Sequence, residues 1–555
     1  KQTPKVAFHM AAYSALWQSI PSGLFRAASA WNVSMDLASR CESGPDESLY
    51  NSLPHVNQVD IFISHSWGCP SWMKFLALCQ YLNFDMAVAL ATFVWISTAL
   101  ILLFRAGGIV HLADSMVGSS YLTYALVYWP MTVFCLVYFF GHTLCRKTFW
   151  FDRICVNQVH PALKAEALDA LPHFVANSKQ MLILLDDNYL ERLWCNYEIA
   201  VFSTTSPDPN SMHFMPLWLP IWTLSTLALD CLGVLAITFY LPATATDPPT
   251  KVTDSRVTFF ILTLATWTGP GVVYACSVIL SFLVHSRRLQ FHNLLLERMA
   301  SFDFRNAKCK LESDRSLIEA QLLQLFDEAL EPPLVVAIDV AELGEPSLAP
   351  LISEEEMKAI RPITSYPSEE EVLQLFNAYV RGPMRERLLN AIGSEVDIPW
   401  KLCAVSFLPL TFDALAVTLS CEGAPCFISA KREGYSSTTL YILSNFLGFA
   451  IECWLGYPTI HPIMLRVLRA IRTKVSHHVF KIVLGAVCSV GVYVYVFVST
   501  AAVIGFVMVS ITRFSGTWCV ASILGFTLLT MQASVLFLKR LKLPKSCRSL
   551  NSSEG

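Results

Sequence analysis

From Lys481 to Ile511 the chain reads KIVLGAVCSVGVYVYVFVSTAAVIGFVMVSI, and no charged side chain stands between Lys481 and Arg513. A helix needs about 20 apolar residues to cross the hydrocarbon core of a bilayer. This stretch exceeds that length. It carries Gly485, Gly491, Gly505, Ser489 and Ser499. Small residues at such density let helix backbones approach closely in lipid, so they read as helix packing and not as a glycine loop for phosphate.

Working outward, the same pattern recurs. Spans are expected at 86–104, 121–141, 215–241, 257–284, 401–420, 439–460, 480–511 and 517–538, eight in all. Only 15% of the 555 residues are charged and 54% are apolar, against roughly 25% charged in soluble domains. The fold class this predicts is a multi-pass α-helical membrane protein whose partner is the lipid bilayer. A net charge of -3 carries no nucleic-acid signal. The 17 cysteines are scattered, several inside apolar runs, and form no zinc-type spacing. The first 58 residues show no signal-peptide pattern.

Basic residues set the expected orientation. Arg466, Arg469, Arg472, Lys474 and Lys481 crowd the connection after the sixth span, and Lys539, Arg540, Lys542, Lys545 and Arg548 crowd the tail. Arg146, Lys147, Arg287 and Arg288 stand at span ends on the same side. The positive-inside rule puts that side, with both termini, in the cytoplasm. The expected organisation is then a cytoplasmic segment 1–58, polar segments 59–85 and 142–213 around a membrane hairpin 86–141, and a second hairpin 214–284. A helical cytoplasmic segment 285–400, a hairpin 401–460, a basic connection 461–479, a hairpin 480–538 and a basic tail 539–555 complete it. On the opposite side, Cys421 and Cys426 are spaced for a small disulfide ring if that face is oxidising. The plain alternative is two free thiols.

The polar segments 59–85 and 142–213 carry strand and helix patterns in alternation. Val59–Ser64 reads as a buried strand and Pro70–Tyr81 as a helix. Phe149–Asp152 is a second strand, Pro161–Asn177 a helix, Gln180–Leu185 a third strand and Leu190–Ser203 a helix. Alternation of this kind predicts a parallel, three-stranded α/β domain.

Asp60-Ile-Phe-Ile-Ser-His-Ser66, Phe151-Asp152-Arg153 and Met181-Leu-Ile-Leu-Leu-Asp186 followed by Trp194-Cys-Asn-Tyr-Glu198 together resemble the Toll/interleukin-1 receptor (TIR) domain. The resemblance covers about 80 residues, split by the first hairpin, and implies a flavodoxin-like sheet. The family's fourth and fifth strands have no evident counterpart before the third span, and Pro332–Ile338 is a candidate replacement. Elsewhere, Phe302, Cys309, Asp314-Arg315 and Phe376-Asn-Ala-Tyr-Val-Arg381-Gly-Pro383-Met-Arg385 resemble multi-pass membrane families of dinoflagellate algae, which implies no particular activity.

The TIR resemblance implies signalling or scaffolding by self-association or with protein partners. It also implies an alternative, a hydrolase with NAD as substrate in which Glu198 is the catalytic carboxylate. A carboxylate beside a developing oxocarbenium ion suits loss of nicotinamide. Trp194 would be a stacking wall, Ser64, His65, Ser66 and Trp67 the mouth, and Asp152 and Arg153 ribose or partner contacts. The plain readings are packing for Trp194, a first-turn helix acid for Glu198 and strand-end loops for the rest. No metal and no obligate cofactor is implied. Asp230, Asp413 and Glu452 fall inside expected spans. Intramembrane acids are expensive, so they should face the bundle interior or line an ion or solute path. The alternative is hydrogen bonding between helices.

Overall fold

The computed structural model describes residues 23–39, 47–105, 124–206, 208–244, 278–309, 369–393, 395–419, 423–513 and 515–537, with a few single positions between them. The chain divides into two units. One comprises Lys1–Gly68, Arg146–Phe214 and Leu296–Arg387, the other Cys69–Cys145, Met215–Leu295 and Leu388–Gly555.

The first unit is built on a mixed sheet. Its strands are β1 (Ala28–Ser29), β2 (Val59–His65), β3 (Thr148–Phe151), β4 (Ser178–Leu185) and β5 (Met212–Pro216), in the order β1-β3-β2-β4-β5. β2 pairs in parallel with both neighbours, Phe62 opposite Trp150 on one side and Met181 on the other. β1 runs antiparallel to β3. Ile61, Phe62, Ile63, Phe149, Trp150, Phe151 and Met181 to Leu185 are all buried. These strands are continuously apolar because both sheet faces are covered, as parallel sheets require. Phe62 and Trp150 stack across the β2–β3 pair with centroids 4.5 Å apart.

Several expectations are corrected. The sheet has five strands, not three. β1 comes from the segment that reads as featureless, where Ser29 also caps the helix Ala30–Ala38 by accepting the Asn32 N–H. β5 occupies Met212–Pro216, where the third span was expected to begin at 215. Five residues are too few to carry a clear period against the apolar run that follows. Pro332–Ile338 lies outside the described residues. The helix expected over Pro161–Asn177 is two, Pro161–Asp169 and Leu171–Ala176, because Pro172 has no N–H to continue the first. The helix expected from Leu190 begins at Leu193, after a single tight turn Tyr189–Glu191.

The second unit is helical. Six of the described helices are long and apolar enough to cross a membrane: Ser71–Phe104, Tyr124–Leu144, Trp218–Leu235, Thr438–Lys474, His478–Arg513 and Gly516–Phe537. Helices satisfy every backbone group internally, which the bilayer demands. The expected helix Pro70–Tyr81 and the expected span 86–104 are one continuous helix, Ser71–Arg105. Nothing between Tyr81 and Met86 breaks it, since Asn83 and Asp85 are tolerated in a helix interior. The expected span 257–284 lies largely outside the described residues.

The expected span 401–420 is not one helix. It is broken into Trp400–Val405 and Leu408–Leu419, and Pro409 stands in the first turn of the second piece. A proline there costs nothing because its missing N–H would be unpaired anyway. The helix expected over Glu369–Ile392 forms, but Pro383 is absorbed in a wide turn, Val380–Met384.

Of the glycines in His478–Arg513, Gly485 serves close packing, whereas Gly491 is exposed with open space around it. A Cβ on Gly485 would stand 2.5 Å from the Phe282 ring, so only glycine allows that approach. This helix is 56% buried over its apolar window, against 17% for Gly516–Phe537, so the small-residue helix is the enclosed one.

Candidate functional site

In open α/β sheets, ligands collect beyond the carboxyl ends of the strands, where the strand order reverses direction. Here the chain passes from β2 outward to β3 and then returns to place β4 on the other side of β2. The reversal lies between β2 and β4. At that point β2 ends in Ser64 and His65, and β4 leads through Asp186 and Tyr189 to the helix Leu193–Thr205.

The structure brings most of the expected residues together here. Ser64 Oγ donates to Glu198 Oε2, and Tyr189 OH lies 2.5 Å from the same Ser64 oxygen. A hydroxyl has one proton, so Tyr189 must donate to Ser64 while Ser64 donates to Glu198. Glu198 is 9% exposed, and burial pushes its carboxyl up to about 8, against the smaller opposing pull of the Ser64 bond. It therefore holds a proton near neutrality. Burial likewise raises Tyr189 and Cys195 far above their usual ranges. Cys195 Sγ donates to the His65 carbonyl at 3.4 Å, tying the helix start to the β2 end.

A second layer stands above. His65 Nε2 lies 2.8 Å from Asp152 Oδ1, and Trp67 Nε1 donates to Asp152 Oδ2 at 2.7 Å. Asp152 opens a single helical turn, Asp152–Cys155, directly after β3. It thus clamps the last residue of β2 to Trp67, two residues beyond. The Trp67 indole remains 58% exposed although its N–H is fixed. The Arg192 guanidinium stands against Gly68, where an added Cβ would meet it at 3.1 Å. Ser66 is buried, and its hydroxyl meets no hydrogen-bond partner among the described residues.

Two expected residues point elsewhere. Arg153 Nε pairs with Asp36 Oδ1 at 3.1 Å, so it anchors the Ala30–Ala38 helix. Trp194 packs edge-on to Tyr197, with centroids 6.1 Å apart. Tyr189, Asp36 and Arg192 were not singled out in the sequence. Tyr189 was findable, since it follows a buried strand by four residues at the carboxyl edge. Asp36 was not, because nothing local marks its distant partner.

The intramembrane acids behave differently. Asp230 is 2% exposed, and its Oδ2 accepts the Leu410 backbone N–H at 2.9 Å. That N–H belongs to the first turn of Leu408–Leu419, whose early amide groups have no partner within their own helix. Glu452 accepts from Tyr457 OH inside a wide turn, Ile451–Gly456. Asp413 is half-buried. Cys421 and Cys426 form a disulfide, Cα atoms 5.1 Å apart. No cluster of three or more metal-type side chains occurs among the described residues.

Compared with protein-family models, with curated proteins and with solved structures, the chain matches none.

Proposed function

We propose that the chain is a membrane-anchored signalling or scaffolding protein that acts by assembly of its α/β unit on the cytoplasmic side. Three features support a TIR-like reading of that unit. The sequence motifs fall in order. The parallel strands, numbered from β2, run second-first-third, with β5 placed fourth, as in flavodoxin-like sheets. The motif residues Ser64, His65, Asp152 and Glu198 converge at the carboxyl edge.

The observation that carries assembly over catalysis is Trp67. A solvent-facing indole held by a hydrogen bond is a low-entropy contact element, and tryptophan is enriched among residues that dominate binding energy. Beneath it, the acid is closed off by Ser64 and Tyr189. The test is self-association of the full chain in lipid nanodiscs or detergent, read by fluorescence energy transfer between labelled copies. Wild-type protein should assemble with rising concentration, and Trp67→Ala should weaken assembly by about tenfold or more. A wild type that stays monomeric throughout, or a variant that assembles equally well, would count against the reading.

One observation favours a second reading. Glu198 is a proton-holding acid at the reversal point of the sheet. This is a carboxyl placed to assist cleavage of an N-glycosidic bond such as that of NAD, once Ser64 and Tyr189 move aside. Nicotinamide release that disappears in Glu198→Gln would establish it. Absence of release from assembled wild-type protein would leave the binding module alone.

A further inference from the structure

The helices Ile460–Lys474 and His478–Arg513 form a hairpin joined by residues 475–477. They meet closely at Gly485, where an added Cβ would stand 3.4 Å from Leu468 Cδ2 as well as against the Phe282 ring. Leu468 and Gly485 are therefore opposite each other across the seam. The two helices run antiparallel. One turn towards the hairpin tip is thus four residues on from Leu468 and four residues back from Gly485 on the same faces. Those positions are Arg472 and Lys481. Two cations face each other across the seam, and Lys474 stands at the end of the first helix.

Like charges so placed repel each other, and the hairpin supplies no acid to offset them. No Asp or Glu occurs between Glu452 and Glu554. Acids from elsewhere in the helical unit reach the inner arginines: Asp397 meets Arg466 at 3.0 Å and Glu395 meets Arg469 at 2.5 Å. Arg472, Lys474 and Lys481 make no ion pair among the described residues. The inner two cations thus hold the helix to the segment 395–397, and the outer three hold nothing in the chain. Arg472 and Lys474 are exposed, and Lys481 is half-exposed.

Helix length fixes the depth of this cluster. The uncharged run 482–512 rises about 46 Å at 1.5 Å per residue. That is close to the roughly 40–45 Å of a bilayer with its headgroup layers. Lys481 therefore falls at the level of the lipid headgroups. Val479, Phe480, Ile482 and Val483 around it are all exposed. Apolar and cationic side chains so interleaved match the boundary between acyl chains and headgroups. The anion available at that depth is a lipid phosphate.

We propose that Arg472 and Lys481, with Lys474 beside them, bind the headgroup of an anionic phospholipid. A phosphodiester has two free oxygens and one negative charge, so it can accept from both cations and relieve their repulsion. A zwitterionic headgroup brings its own cation to the same place. An anionic one does not, and the third cation adds to the preference for it. The site works in the same way whichever side of the bilayer the hairpin tip faces. This inference stands independently of the α/β unit's role.

The test places the full chain in phosphatidylcholine vesicles with a trace of spin-labelled lipid and reads, by electron spin resonance, the fraction of label immobilised at the protein. Wild type should hold labelled phosphatidylglycerol over labelled phosphatidylcholine by about threefold or more. The double variant Arg472→Gln with Lys481→Gln should bring that ratio most of the way to one, and raised salt should lower it in the wild type. Lys431→Gln removes an exposed cation from another helix and should leave the ratio unchanged. Neither hairpin cation is buried, so the double variant should fold, and it should immobilise phosphatidylcholine as wild type does. A wild-type ratio near one, a double variant as selective as wild type, or an equal loss in Lys431→Gln overturns the proposal. Release of labelled phosphatidylglycerol by millimolar inorganic phosphate at constant ionic strength also overturns it, because the site would then be one for a soluble anion.

Discussion

The two units solve the same problem, a buried carboxylate, in opposite ways. In the α/β unit Glu198 is held at the edge of a sheet by the Ser64 hydroxyl, itself held by Tyr189, and keeps its proton. In the helical unit Asp230 accepts a backbone amide at the start of a broken helix. The first is tied to side chains that can turn away. The second is tied to main chain that cannot. The difference teaches that the same residue type is a titratable element where its partners are rotors and a structural cap where its partner is the backbone.

The largest effect that would sharpen this contrast is on pH. The folded-state carboxyl of Glu198 titrates at about 8, against an ordinary value of 4.5. The folded protein therefore binds more protons than the unfolded chain between those values. Its stability from this group is fully present below about 4.5 and is lost as pH rises towards 8, a change on the order of several kcal/mol. Thermal unfolding of the full chain across that window should show a falling midpoint for the α/β unit. Glu198→Gln should flatten the slope. A slope unchanged by the substitution would break the comparison.

Asp230→Leu comes next. It leaves the Leu410 N–H without its acceptor in a water-free setting, which should cost about 3 kcal/mol. Resistance to unfolding in mixed detergent micelles would measure it, and the loss should be insensitive to salt because the contact is buried. The smallest effect is expected at Lys401, whose Nζ meets Asp85 Oδ1 at 2.7 Å with both side chains more than half exposed. Lys401→Ala should change stability by less than about 0.5 kcal/mol in the same assay. A large loss there would mean that exposed pairs carry more of this bundle than buried caps do.

The strands β2, β3 and β4 were legible within a residue or two because short apolar runs bounded by polar loops, too short for helices, have few other readings. β1 and β5 were not, since two and five residues hold too little pattern. The site was half legible. Ser64, His65, Trp67, Asp152 and Glu198 were named from motif positions, but their pairing was not.

What the sequence determined by itself was the division of labour: long uncharged runs that only a bilayer or a bundle can receive, and short alternating segments that only a sheet can receive. Hydrophobic length and period are local quantities, so they are written in the order of residues. Only the tertiary structure decided that Ser71–Arg105 is one helix, that 401–420 breaks, and which buried polar group meets which. Hydrogen bonds depend on distances of tenths of an ångström between residues far apart in the chain, and those distances exist only once the helices and strands have packed.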